Sequence, residues 1–127
     1  RVLPVLHTVA IAPVRPPGGK LQGVFIVNYV LPELSQFLQQ LRFSPSGQAF
    51  IIERSGELVA TSFQPEASGM QMPQGRPARL SALSSRDPRT REITRQLLPH
   101  ISRLAQSQAP QQLSLIVAGQ RLFVQVT

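Results

Sequence analysis

Few residues in this 127-residue chain are of a type that does chemistry, and their spacing decides what they can do. The only histidines, His7 and His100, fall in different predicted elements, and no His-x-x-x-His, Glu-x-x-His or acidic calcium-loop spacing accompanies them. A metal site is not expected. His100 is expected at the edge of a helix stripe, half-buried and hydrogen-bonded. Cysteine is absent, which removes disulfides, thiolate zinc sites and a cysteine nucleophile. No Gly-x-Ser-x-Gly elbow occurs, and Ser46 and Ser55 stand in turn sequences, Pro45-Ser46-Gly47 and Arg54-Ser55-Gly56, where Ser and Gly are favoured anyway. Glu53 and Glu57 flank the second of these turns, and such carboxylates are ordinarily solvated. Gly18-Gly19-Lys20 lacks the upstream glycine and the following Ser or Thr of a phosphate-binding loop. These residues point to a non-enzyme that needs no cofactor, either a binding module or an assembly domain without a ligand.

Charge is the other carrier of function. The net charge is +7, and only Lys20 of the 13 basic residues is lysine. Seven arginines lie between Arg76 and Arg103 against two acids, Asp87 and Glu92, so this segment holds a surplus of five. Two readings fit: a surface for phosphates or anionic lipid, or a solvated helix face. No Tyr, Phe or Trp is interleaved to stack on bases, which favours the solvated face and disfavours nucleic acid.

The elements that must position these residues are those of one small domain or of parts of two. Residues 2–14 read as extended chain, Arg15 to Lys20 as a Pro- and Gly-rich loop of about five residues, and Leu21 to Val30 as a second, almost continuously apolar strand, giving a hairpin. Leu34, Phe37, Leu38 and Leu41 fall at i, i+3, i+4 and i+7, an amphipathic helix with Pro32 in its first turn. Ala49 to Glu53 and Leu58 to Ser62 form a second hairpin. From Phe63 to about Arg79, prolines and glycines predict a long loop without regular structure.

Asp87-Pro88 reads as an N-cap and first helical residue, followed by a stripe of Ile93, Leu97, Ile101 and Leu104. Pro99 falls opposite that stripe, where a bend rather than a break is expected. Leu113 to Val117 and Leu122 to Val126 form a last hairpin about Ala118-Gly119-Gln120. The longest apolar run, Val24 to Val27, is far short of a membrane span of roughly 20 residues, and Arg1 opens no signal sequence, so the chain as given reads as soluble.

Two segments carry a resemblance: LQGVFIVNYVLPELSQFLQQL at 21–41 and SGQAFIIERSGELVATS at 46–62. In order and spacing they resemble the double Cache family, the extracytoplasmic PAS-like sensor domains of bacterial membrane receptors. In that family a Gly-Val strand of the membrane-distal subdomain passes through a connecting helix into a proximal subdomain. The proximal part opens with glycine, an apolar strand, a glycine turn and a strand ending in alanine. Here those positions are Gly47, Phe50-Ile51-Ile52, Gly56 and Leu58-Val59-Ala60. The final RLFVQVT strand is also similar.

The resemblance implies an α/β (α+β) fold, an antiparallel sheet built from hairpins and flanked by two main helices. Residues 1–43 would be the end of the distal subdomain with its connecting helix. Residues 44–127 would be the proximal subdomain without its last strand. It implies a ligand-sensing module, periplasmic or extracytoplasmic, in a membrane-anchored receptor of histidine kinase, cyclase or chemoreceptor type, with a small-molecule ligand of unknown identity. The ligand-contact position is Asn28, where amine-sensing relatives carry Asp; an amide accepts a hydrogen bond but supplies no charge. Tyr29, the one phenol, neighbours it. A proximal sheet short of a strand would recruit one, either Val2 to Val14 of the same chain or the same segment of a second copy, and a homodimer is expected.

Overall fold

The computed structural model describes residues 7–41, 44–107 and 109–127. β1 (His7–Val14) and β2 (Gly23–Val30) pair antiparallel in continuous register, from His7 opposite Val30 to Val14 opposite Gly23. Val2 to Leu6 of the expected first strand lie outside the described residues. The loop is longer than expected, Arg15 to Gln22. Its tight turn sits early: Gly19 N–H donates to the Pro16 carbonyl at 2.9 Å and Gly18 takes φ +69°, and Gln22 N–H then donates to the Val14 carbonyl at 3.0 Å where the ladder begins.

α1 (Leu31–Gln40) follows β2 without an intervening residue. Its buried residues are Leu31, Ser35 and Leu38, whereas Phe37 and Leu41 of the predicted stripe are exposed. The helix exists as expected but turns a different face inward. That face lies on β4, where the Ser35 hydroxyl accepts from a buried backbone N–H that would otherwise lack a partner.

β3 (Phe50–Ile52) and β4 (Leu58–Thr61) form the second hairpin, with a bulge between Ile51 and Ile52. Glu53 N–H donates to the Glu57 carbonyl and Gly56 N–H to the Glu53 carbonyl, both at 2.9 Å, and Gly56 takes φ +87°.

The expectation of a structureless loop after Phe63 is corrected. 3₁₀ turns form at Gln64–Glu66 and Pro73–Gly75, and a minimal strand pair joins β5 (Met70–Gln71) to β6 (Ala78–Arg79). Pro65 and Pro73 take the second and first positions of these turns instead of forbidding order, because their fixed φ suits the start of a helical turn. The segment also folds back on β4: Leu58 N–H donates to the Leu80 carbonyl at 2.8 Å, and Glu57 bridges Ser81.

A 3₁₀ turn at Ala82–Ser84 leads to α2 (Pro88–Leu97), capped by Asp87 as expected. Pro99 does more than bend it. The chain tightens into a 3₁₀ turn at Leu98–His100 before one last helical turn, Ile101–Leu104, and His100 leaves helical geometry with φ −109°, ψ 2°. The proline cannot donate to the carbonyl of Arg95, and the local answer is a tighter turn. His100 is accordingly exposed, not half-buried. β7 (Gln111–Val117) and β8 (Gln120–Val126) close the chain about a two-residue turn, Ala118–Gly119.

The class is α+β, as expected. Among the described residues the strands bond as four separate antiparallel pairs, β1–β2, β3–β4, β5–β6 and β7–β8, rather than as one sheet. The buried apolar residues are Leu31, Leu38, Leu58, Ala60, Ala82, Ile93 and Val117; α1 packs on β4, and α2 packs on β7 and on the Ala82–Ser84 turn. Leu31 and Leu58 are wholly buried, each contributing roughly 1.5–3 kcal/mol by leaving water. No described helix is long and apolar enough to cross a membrane.

Candidate functional site

Asn28 and Tyr29, both exposed, stand near the end of β2 in register with Val9 and Thr8 of β1. Successive strand residues point to opposite faces, so one ligand lying on one face meets only one of them. What they share is position: Leu31, the first residue of α1, follows Tyr29 by two, and its side chain is buried. Anything that shifts the end of β2 therefore acts on the root of α1.

α1 is clamped further along. The Thr61 N–H donates to Ser35 Oγ at 3.1 Å, with both residues buried. Beyond the clamp, Leu38, Gln39, Leu41, Ser44, Pro45, Gly47 and Ser62 line an open depression of about 270 Å³. A second one, about 440 Å³, lies along β7 and β8 between Gln112 and Gln125. Both are open to solvent.

Buried polarity concentrates elsewhere, around two carboxylates the sequence did not bring together. Asp87 Oδ2 accepts from Thr90 N–H at 2.8 Å, from the Thr90 hydroxyl at 2.8 Å and from Gln48 Nε2 at 2.7 Å. Burial pushes its carboxyl up, but these donors and the Arg89 guanidinium outweigh that and hold it below the ordinary carboxylate range. It stays ionised and works as a cap. Glu66, also buried, accepts from the Ser85 hydroxyl and from Arg86 N–H. Ser85 Oγ in turn accepts from Asp87 N–H at 3.1 Å. Ser85 thus joins the 63–80 segment to the start of α2. No sequence signal pairs Glu66 with Ser85, 19 residues apart.

The other sequence candidates are structural. Glu53 pairs with Arg79 at 2.6 Å, while Glu57 accepts from Ser55 Oγ at 3.2 Å, so the two glutamates serve different partners. Four of the seven clustered arginines are engaged: Arg79 with Glu53, Arg89 with Asp87 and the Ser46 carbonyl, Arg91 with the Ser85 carbonyl, and Arg95 with Glu92. Only Glu53 comes from outside the segment, so these contacts lower its surplus of five by one, while Arg79 and Arg89 tie separate elements together. Among the described residues no group of three or more acidic or histidine side chains is placed to hold a metal ion.

Comparison with family models, curated proteins and solved structures returns no match for this chain.

Proposed function

We propose that this chain is a ligand-sensing module of the double Cache type, in which occupancy near the end of β2 is relayed through α1 to the body of residues 44–127. The observation that carries the reading is continuity. β2 passes into α1 with no loop to absorb motion, and α1 is held on β4 by Leu31, Leu38 and the Ser35–Thr61 hydrogen bond. The order of segments in the sequence supports the same reading. The mechanism is differential binding: a ligand that favours one setting of β2 shifts the population of α1 positions, and the output follows. In this reading the parent protein is a membrane-anchored bacterial receptor of histidine kinase, cyclase or chemoreceptor type, and this module lies on the extracytoplasmic side.

The test is a thermal-shift screen of the chain against small organic acids, amines and nucleosides, followed by hydrogen exchange with any hit. A ligand is expected to raise the melting temperature and to slow exchange at Thr61 N–H. Asn28→Ala is expected to reduce the ligand-induced shift more than the basal melting temperature. No hit across the three classes, or a hit whose shift Asn28→Ala leaves unchanged, overturns the proposal.

A further inference from the structure

The polar bonds that hold α1 do not stop at β4. Ser35 takes the Thr61 N–H, and the next residue, Ser62, exchanges two bonds with Ala49: its N–H donates to the Ala49 carbonyl at 2.8 Å, and its Oγ accepts from the Ala49 N–H at 3.0 Å. The start of β3 therefore follows β4. Gln48, the residue before Ala49, crosses to α2 and donates from its side-chain amide to Asp87 Oδ2 at 2.7 Å and to Thr90 Oγ1 at 2.8 Å. Asp87 Oδ2 also holds the Thr90 N–H, the bond that caps the helix.

Gln48 has two settings. Its amide oxygen, Oε1, is buried and has no hydrogen-bond partner among the described residues. Turning the amide over does not relieve this, because Oε1 would then face the Asp87 carboxylate. Engaged, the side chain makes two bonds, one of them to a charged group, and carries an unsatisfied acceptor. Withdrawn into water, which its half-buried position leaves within reach, it loses both bonds and regains solvation of that oxygen, while Asp87 keeps its two bonds from Thr90. Gain and cost are of the same order, so the two settings lie close in free energy. The position of the start of β3 decides between them, and Ser62 ties that position to α1.

We infer that Gln48 is a latch between the two helices: α1 held by Ser35 keeps Gln48 on the cap of α2, and a shift of α1 releases it. The start of α2 is then where a movement of α1 is read out. A second tie, from Arg89 to the Ser46 carbonyl at 2.9 Å, keeps the segment before β3 beside α2 when the latch opens, so release changes the cap without separating the elements. The coupling stands on these bonds without any ligand; its use as the route of a sensed signal rests on the reading proposed above.

Amide hydrogen exchange of the ligand-free chain tests the latch in both directions, because coupling between two sites is reciprocal. Ser35→Ala is expected to speed exchange of the Thr90 N–H by roughly threefold or more. Gln48→Glu, which keeps the size of the side chain and removes both donors, is expected to do the same to the Thr61 N–H. In the Gln48→Glu background, Ser35→Ala should leave Thr90 unchanged, since the link is already cut. Amides of the β7–β8 ladder, off this path, report global unfolding. A Thr90 rate that Ser35→Ala leaves at the parent value, or that rises only in step with β7–β8, overturns the inference. If Ser35→Ala does not fold, Gln48→Glu decides alone, and an unchanged Thr61 rate overturns it. Ligand sensing fails separately: a chain that shows both responses but binds nothing in the thermal-shift screen keeps the latch and loses the sensor, and a chain that binds a ligand without either response does the reverse.

Discussion

The buried hydroxyl of Ser35 in α1 accepts a hydrogen bond from the backbone N–H of Thr61 at the end of β4, 26 residues away, at 3.1 Å. It lies on the side of α1 that also buries Leu31 and Leu38 against β4. Removing one partner of such a bond leaves the other desolvated and unpaired.

Ser35→Ala is therefore expected to lower stability by roughly 1–3 kcal/mol, reduced by about 0.5 kcal/mol through the better helix propensity of alanine. Denaturant unfolding checks it. A variant as stable as the parent would mean that the packing of Leu31 and Leu38 alone holds α1.

Local signals in the sequence were legible where one residue type has one structural use. Asp87-Pro88 is such a case: the short carboxylate caps and the proline starts α2, and both occur as read. The inward face of α1 was not legible, because periodicity counts apolar side chains and Ser35 is polar; its burial depends on a donor far away in sequence. The same limit hid Glu66, whose partners Ser85 and Arg86 come from beyond a proline-rich stretch. At Pro99 both the direction and the missing donor were legible, but a missing bond can be met by a bend or by a tighter turn, and the chain takes the 3₁₀ turn. Of the candidate site, Asn28 was named by the resemblance and Tyr29 as the one phenol beside it. Their direct continuity with α1 emerged only once the element boundaries were known.

Acid should weaken the protein partly through Asp87. Its carboxyl titrates below the ordinary value of 3.8 when folded, so the unfolded chain takes up the proton more readily. The stabilisation is complete above about pH 4 and is lost as pH falls through the folded value. Glu92 acts in the same direction: hydrogen bonds from Arg95 and Gln96 depress its carboxyl from 4.5 to about 2. Because Glu92 and Arg95 meet at the surface, added salt should erase most of that part, whereas the Asp87 part persists. In high salt, Asp87→Asn is expected to flatten the stability curve between pH 5 and 2. Parallel acid curves for parent and variant would show that other carboxylates govern it.

Ala118 holds φ +49° in the two-residue turn of β7–β8, beside Gly119 at +78°. Such turns take positive φ at both central positions, which suits Asn or Gly better than a residue with a plain Cβ. Ala118→Gly and Ala118→Asn are expected to stabilise by about 1 kcal/mol, and Ala118→Val to destabilise. Thermal unfolding of the three variants decides the order.

Gly56 lies in the turn between β3 and β4 with φ +87°, and a Cβ placed there would come within 3.3 Å of Leu98 Cδ2. Leu98 begins the 3₁₀ turn that Pro99 imposes after α2, so this hairpin tip rests on the interruption of the helix. Two penalties should add in Gly56→Ala: about 1–2 kcal/mol for the left-handed backbone, and a further contribution of about 1 kcal/mol from displacing the leucine methyls. A double-mutant cycle separates them. In a Leu98→Ala background the contact penalty disappears and the backbone penalty remains, so Gly56→Ala should cost about 1 kcal/mol less there than in the parent. Equal costs in both backgrounds would show that the tip and the helix interruption are not in contact in solution.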